Sequence, residues 1–191
     1  IAAPITSSVA ASIIGDGTLV LEGANAFADY LIIEGGDLVL SGNSTTSVGT
    51  RVRVGWNGIT GAAGRLTVTD SASLNTAYLF AGDAAGVSGE IVQTGGTVTV
   101  SNRVGVGHYP NETATYTMSG GSLILTGSST TNPFVTSVSA EQSGTLYLGI
   151  DGTGVFKQSG GSVTAQGLVL DNRGDTAGTD TYTLTGGAIT L

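Results

Sequence analysis

The chain has 191 residues, of which only 10% are charged, with 32 glycines, 3 prolines and no cysteine. Six basic against 14 acidic side chains leave a formal charge of −8, which argues against a nucleic-acid partner or a polybasic membrane contact. The lack of cysteine removes disulfides, thiolate metal sites and a cysteine nucleophile, and no apolar run reaches the length of a membrane span.

Residues 1–17 are apolar and rich in Ser and Ala, and fit no repeat. They are expected to form an N-terminal extension or cap, able to donate a strand to a neighbouring copy. Thr18 to Glu22 (TLVLE) is the first regular strand, and Ala24 to Asp29 (ANAFAD) is expected as a single helical turn. From there one pattern recurs: an alternating strand, a Gly-Gly corner and a second alternating strand. It is clearest in IVQTGGTVTV from Ile91, and returns as LIIEGGDLVL from Leu31, YTMSGGSLIL from Tyr116, FKQSGGSVTA from Phe156 and YTLTGGAITL from Tyr182. LTVTDSASL from Leu66 is a degenerate copy with Asp70-Ser71 near the corner. The corners are Gly35-Gly36, Gly95-Gly96, Gly120-Gly121, Gly160-Gly161 and Gly186-Gly187, where a residue free of a Cβ takes positive φ without a clash. Three insertions are expected, at Ser41 to Thr50, Trp56 to Gly64 and, longest, residues 127–144.

Side chains alternate between the faces of a strand, so the repeat sorts into columns. Leu31, Ile91, Tyr116, Phe156 and Tyr182 form one inward column. Ile33, Gln93, Met118, Gln158 and Leu184 form a second, and Leu38, Val98, Leu123, Val163 and Ile189 a third. Ile32, Val92, Thr117, Lys157 and Thr183 point outward. Gln93 and Gln158 therefore enter the core, where each amide needs a neighbouring coil's backbone or a trapped water. A third strand completes each unit, as in RVRVG from Arg51, RVGVG from Arg103, TLYLG from Thr145 and GLVLD from Gly167. Three short strands in about 25 residues is one coil of a parallel β-helix. The expected fold is all-β: residues 18–191 as one β-solenoid domain of about six coils, with an inserted loop at 127–144.

Units such as GTVTVSNRVGVGHYPNETATYTMSGGS and GTLYLGIDGTGVFKQSGGSV resemble the type V secretion and PEP-CTERM-associated repeats and the autotransporter-associated β-strand repeats. The resemblance covers roughly Thr18 to Leu191. It implies a right-handed β-solenoid on an extracellular or cell-surface bacterial protein, and it carries no catalytic residues. The long insertion at 127–144 departs from the family pattern, as does the absence of a β-barrel translocator or PEP-CTERM tail from these 191 residues.

Parallel β-helices also include polysaccharide lyases and hydrolases, which need paired carboxylates or a carboxylate with a base. The best local cluster is Asp171, Asp175 and Asp180, with Arg173. The same three aspartates are the candidate calcium ligands, although Asp residues that bond their own turns explain them as well. His108 is the only histidine, which excludes a histidine-rich metal site. The turn after the third strand carries Trp56, Asn57, Asp83, His108, Tyr109 and Asp151 in comparable places. These residues are the candidate glycan-binding edge, with Trp56 and Tyr109 as stacking platforms.

The expected function is non-catalytic: a structural or adhesive extracellular β-solenoid without cofactor. A glycan-binding module or a lyase or hydrolase is the alternative. The expected partners are further coils or copies joined end to end, which would build a filament, and extracellular glycans.

Overall fold

The computed structural model describes residues 3–56, 63–128, 142–171 and 179–191. Among these residues there is no helix, and hence none long and apolar enough to cross a membrane. Every pairing between strands is parallel and the chain winds as a β-solenoid of about six turns. One sheet stacks seven strands: β3 (Thr18–Leu21), β6 (Asp37–Leu40), β8 (Gly64–Val68), β10 (Gly89–Gln93), β12 (Thr113–Met118), β15 (Thr153–Gln158) and β18 (Thr181–Leu184).

The other sheet has 12 strands and bends along its length. One half holds the second strand of each coil: β1 (Thr6–Ser7), β4 (Ala24–Phe27), the start of β7 (Thr45–Val54), β9 (Ser73–Ala81) and β11 (Thr97–Val106), then β13 (Ser122–Leu125), β16 (Ser162–Thr164) and β19 (Ala188–Thr190). The other half holds the third strand: β2 (Ala11–Ile13), β5 (Tyr30–Ile33), the ends of β7, β9 and β11, then β14 (Thr145–Leu148) and β17 (Gly167–Leu170). In β7, β9 and β11 the second and third strands run on as one, with a register shift at the bend between Val48 and Arg51 and between Val100 and Arg103.

The core is one continuous stack of inward columns. Leu38, Leu66, Ile91, Tyr116 and Phe156 lie in register and fully buried. Leu74, Val98, Leu123 and Val163 line the second wall, and Val52, Leu79, Val104 and Leu146 the third. Tyr116, Phe156 and Tyr182 stack ring on ring, with centroids 4.7 and 4.8 Å apart. That is the coil spacing of a parallel ladder.

The two expected buried glutamines are inward and satisfied. Gln93 donates to Ser122 O one coil on (3.0 Å) and accepts from the Tyr116 hydroxyl (2.7 Å). Gln158 repeats the arrangement, donating to Gly161 O (3.1 Å) and Ala188 O (3.0 Å) and accepting from Tyr182.

Four expectations need correction. Leu31 and Ile33 pair with Val52 and Val54, and Leu38 pairs with Leu66. LIIEGGDLVL therefore spans the corner after the third strand, not the corner after the first, and Gly35-Gly36 belongs to that other corner. Both corners place a glycine at positive φ, 64° at Gly36 and 64° at Gly96, and apolar alternation flanks both, so the phase of this copy was ambiguous. Ala24–Phe27 is a strand, not a helical turn, because Asn25 and Phe27 both point inward. Ser41 to Thr50 is not an insertion, because Thr46 and Val48 are buried in β7. Residues before Thr18 join the stack: β1 pairs with β4 and β2 with β5.

The Gln93–Tyr116 pair makes a prediction. Gln93→Leu leaves the Tyr116 hydroxyl buried without a partner and is expected to cost about 1–3 kcal/mol. Adding Tyr116→Phe should recover most of that loss in a denaturant-unfolding double-mutant cycle; additive losses would show that the pair is not coupled.

Candidate functional site

The outward face of the third strand concentrates the chain's unusual residues. In-register pairing gives one column of Tyr30, Arg51, Tyr78 and Arg103, and a second of Arg53, Phe80, Gly105 and Tyr147. In the first column arginine and tyrosine thus alternate from coil to coil. The Arg51 guanidinium carbon lies 5.1 Å from the Tyr78 ring centre and 4.8 Å from that of Phe80. Arg103 lies 5.2 Å from the Tyr78 ring on its other side. Arg53 sits 5.0 Å from Tyr30 and 3.7 Å from Trp56. Each such contact contributes about 0.5–2 kcal/mol according to its exposure.

Gly105 makes room for the stack. A Cβ there would stand 2.6 Å from Cδ1 of Phe80. His108 then lies flat on Phe80, ring centres 4.3 Å apart, and Tyr109 meets His108 edge-on at 4.9 Å. Lower on the same face, Phe80, Tyr147, Ile150 and Val169 form a small apolar cluster outside the main core.

Asp83 supplies the countercharge. It is fully buried at the corner after β9, with Oδ2 2.9 Å from Arg53 Nε and 3.9 Å from Arg51 Nη1, while Oδ1 meets His108 Nδ1. Next to it, Glu112 packs its carboxyl against Gly82, where a Cβ would fall 1.9 Å from Oε2. Neither Glu112 oxygen has a hydrogen-bond partner. Burial pushes this carboxyl up to about 9, and the nearby Asp83 charge adds to the shift; the amides of Tyr109 and His108 oppose it without closing hydrogen bonds of good geometry.

Along the bend beside this face runs an open groove of about 830 Å³ that crosses five coils. Its floor is small and hydroxylated, with Thr6, Ser7, Ser47, Asn75, Thr99 and Ser101 among the lining residues, and it carries no acidic or basic side chain. Gly49, Ala77 and Ser101 of the groove stand one or two positions before Arg51, Tyr78 and Arg103 of the ladder.

The residues singled out from sequence fall into three groups. Trp56, Asp83, His108 and Tyr109 share one edge, since Val54, Ala81 and Val106, just before the corner, are in register. Asp83, however, is fully buried and spent on ion pairs, and His108 is largely covered, so Trp56 and Tyr109 are the two with reachable rings. Asp151 is half-buried at the corner after β14. Asn57 and Asp175 lie outside the described residues. Asp180, offered as a calcium ligand, accepts from the Gly154 amide (2.7 Å) and packs over Gly149, while Asp171 is an exposed turn residue at φ 59°. Among the described residues no group of three or more His, Asp or Glu side chains could hold a metal.

Arg51, Arg53, Tyr78, Phe80 and Glu112 were not singled out from the sequence as site residues. The available signal was RVRVG and AYLFAG, whose outward positions coincide once the coils are in register. No known protein family, curated protein or solved structure matches the chain.

Two outcomes follow. Asp83→Asn strands two partly buried guanidinium groups, and is expected to cost about 3–5 kcal/mol in denaturant unfolding. A loss under about 1 kcal/mol would mean that solvent screens the pair. Glu112 has a folded-state pKa above its ordinary 4.5, so its contribution is full below that value and is lost as pH rises toward about 9. Glu112→Gln should flatten the fall in melting temperature between those two values; an unchanged slope would assign it to other groups.

Proposed function

We propose that the chain is a non-catalytic adhesive β-solenoid that holds a glycan chain along the groove at the bend of its larger sheet. One observation carries the reading: the groove crosses five coils with hydroxyl, amide and small apolar side chains and no carboxylate or base, beside a ladder of aromatic rings. Glycosidic cleavage needs two carboxylates across the bond, and none lines the groove; Asp29, next to Ala28 of the lining, is engaged by the Thr50 hydroxyl. Asp83 is buried in ion pairs and Glu112 is packed onto Gly82.

The surface chemistry also favours a polyhydroxylated ligand over a peptide. A peptide usually adds to an open sheet edge through its backbone. The groove lies on a sheet face, where the strands' N–H and C=O groups are already committed to the ladder between coils. What faces the ligand is therefore Ser, Thr and Asn side chains with small apolar ones between them. An extracellular, surface-displayed setting agrees with the repeat resemblance, and the stiff stacked rod suits display.

Affinity electrophoresis through soluble polysaccharides tests this reading. At least one polysaccharide should retard the wild-type chain without releasing reducing ends or unsaturated products. Tyr78→Ala, which removes the ring that holds Arg51 and Arg103 beside the groove, should weaken the retardation about tenfold. Lys157→Ala, on the opposite sheet, should leave it unchanged. Steady product release would establish the enzymatic alternative instead.

A further inference from the structure

We infer that Arg51 is an anion anchor on the groove margin and selects a carboxylated polysaccharide over a neutral one. The inference rests on the glycan-binding reading above. Arg51 and Arg53 share a single carboxylate, and they share it unequally. Arg53 Nε is 2.9 Å from Asp83 Oδ2, whereas Arg51 Nη1 is 3.9 Å from the same oxygen. This pair of arginines and one aspartate keep one positive charge in excess.

Arg51 carries that excess. It is the farther of the two from Asp83, and about a fifth of its side chain (22%) stays open to solvent, against 14% for Arg53. The acidic residue at the bend one coil away, Asp29, is engaged by the Thr50 hydroxyl (3.2 Å), and no ion pair joins it to Arg51. The guanidinium is held against Tyr78 and Phe80, so its donors are already oriented. The exposed edge of a planar guanidinium fork is matched by a carboxylate, which it binds through parallel hydrogen bonds.

The net charge of −8 repels any polyanion at long range, so a preference for a carboxylated chain has to come from the contact at Arg51 itself.

The test is calorimetry with two probes of equal length, a galacturonic acid hexamer and a neutral maltohexaose, at about 0.01 M and about 1 M salt. The acidic hexamer should bind the wild-type chain about tenfold or more tightly than the neutral one at low salt, and lose that advantage at high salt. Arg51→Gln should bind both hexamers alike, and Arg51→Lys should keep part of the preference, because it keeps charge without the planar fork. If Arg51→Gln fails to fold, Arg51→Lys and the wild-type salt dependence decide. Equal wild-type affinity for the two hexamers, or a preference that survives Arg51→Gln, overturns the anchor and leaves the glycan groove standing. Binding of neither hexamer overturns both.

Discussion

Parallel, in-register stacking places each side chain about 4.8 Å from its counterpart in the next coil, and the rest of the structure follows from that. No residue is chosen against a distant partner; each is chosen against the same position one coil away. Apolar residues stack well under this rule, so the inward columns hold Leu, Ile, Val and aromatic rings along their length. Corners obey it most strictly. A Cβ at Gly121 would lie 2.3 Å from Gly95 O, because successive turns of backbone touch there. The glycine pairs are thus needed twice, once for positive φ and once for contact between coils.

The glutamines and tyrosines of the core enter it under the same rule, as complete sets. The column that holds Gln93, Met118 and Gln158 lies beside the column of Tyr116, Phe156 and Tyr182. A tyrosine hydroxyl occurs where the preceding coil offers a glutamine oxygen, at Tyr116 and Tyr182. Where the preceding coil offers Met118, the aromatic is Phe156. Each amide and hydroxyl of these two columns is thereby satisfied, and an incomplete set would be worse than none.

Legibility from sequence tracks how local the signal is. The corners at Gly95-Gly96, Gly120-Gly121, Gly160-Gly161 and Gly186-Gly187, and the inward glutamines, were readable because Gly-Gly and period-2 alternation are contained in ten residues. The phase of the first copy was not, since Gly36 and Gly96 adopt the same φ in different corners. The site was less readable still. Tyr78, Leu79, Phe80 and Ala81 run together as apolar residues and hide their alternation. Arg51 and Arg53 look like solvated strand charges until Tyr30, Tyr78 and Phe80 are known to flank them. Glu112 gave no signal, because its burial depends on Gly82 of the preceding coil.

The outward ladder shows what the stacking rule does to charge. Two arginines at the same position in adjacent coils would face each other at ladder spacing and repel. Interleaving them with Tyr30, Tyr78 and Phe80 gives each guanidinium a ring face in place of a like charge. Buried Asp83 then neutralises one of the two arginines it reaches, and Gly105 leaves the space in which Phe80 lies flat. The constraint that builds the rod therefore also leaves an ordered, under-neutralised guanidinium at the groove. Its rotamer entropy is given up on folding, and this is the preorganisation on which the proposed glycan contact would draw.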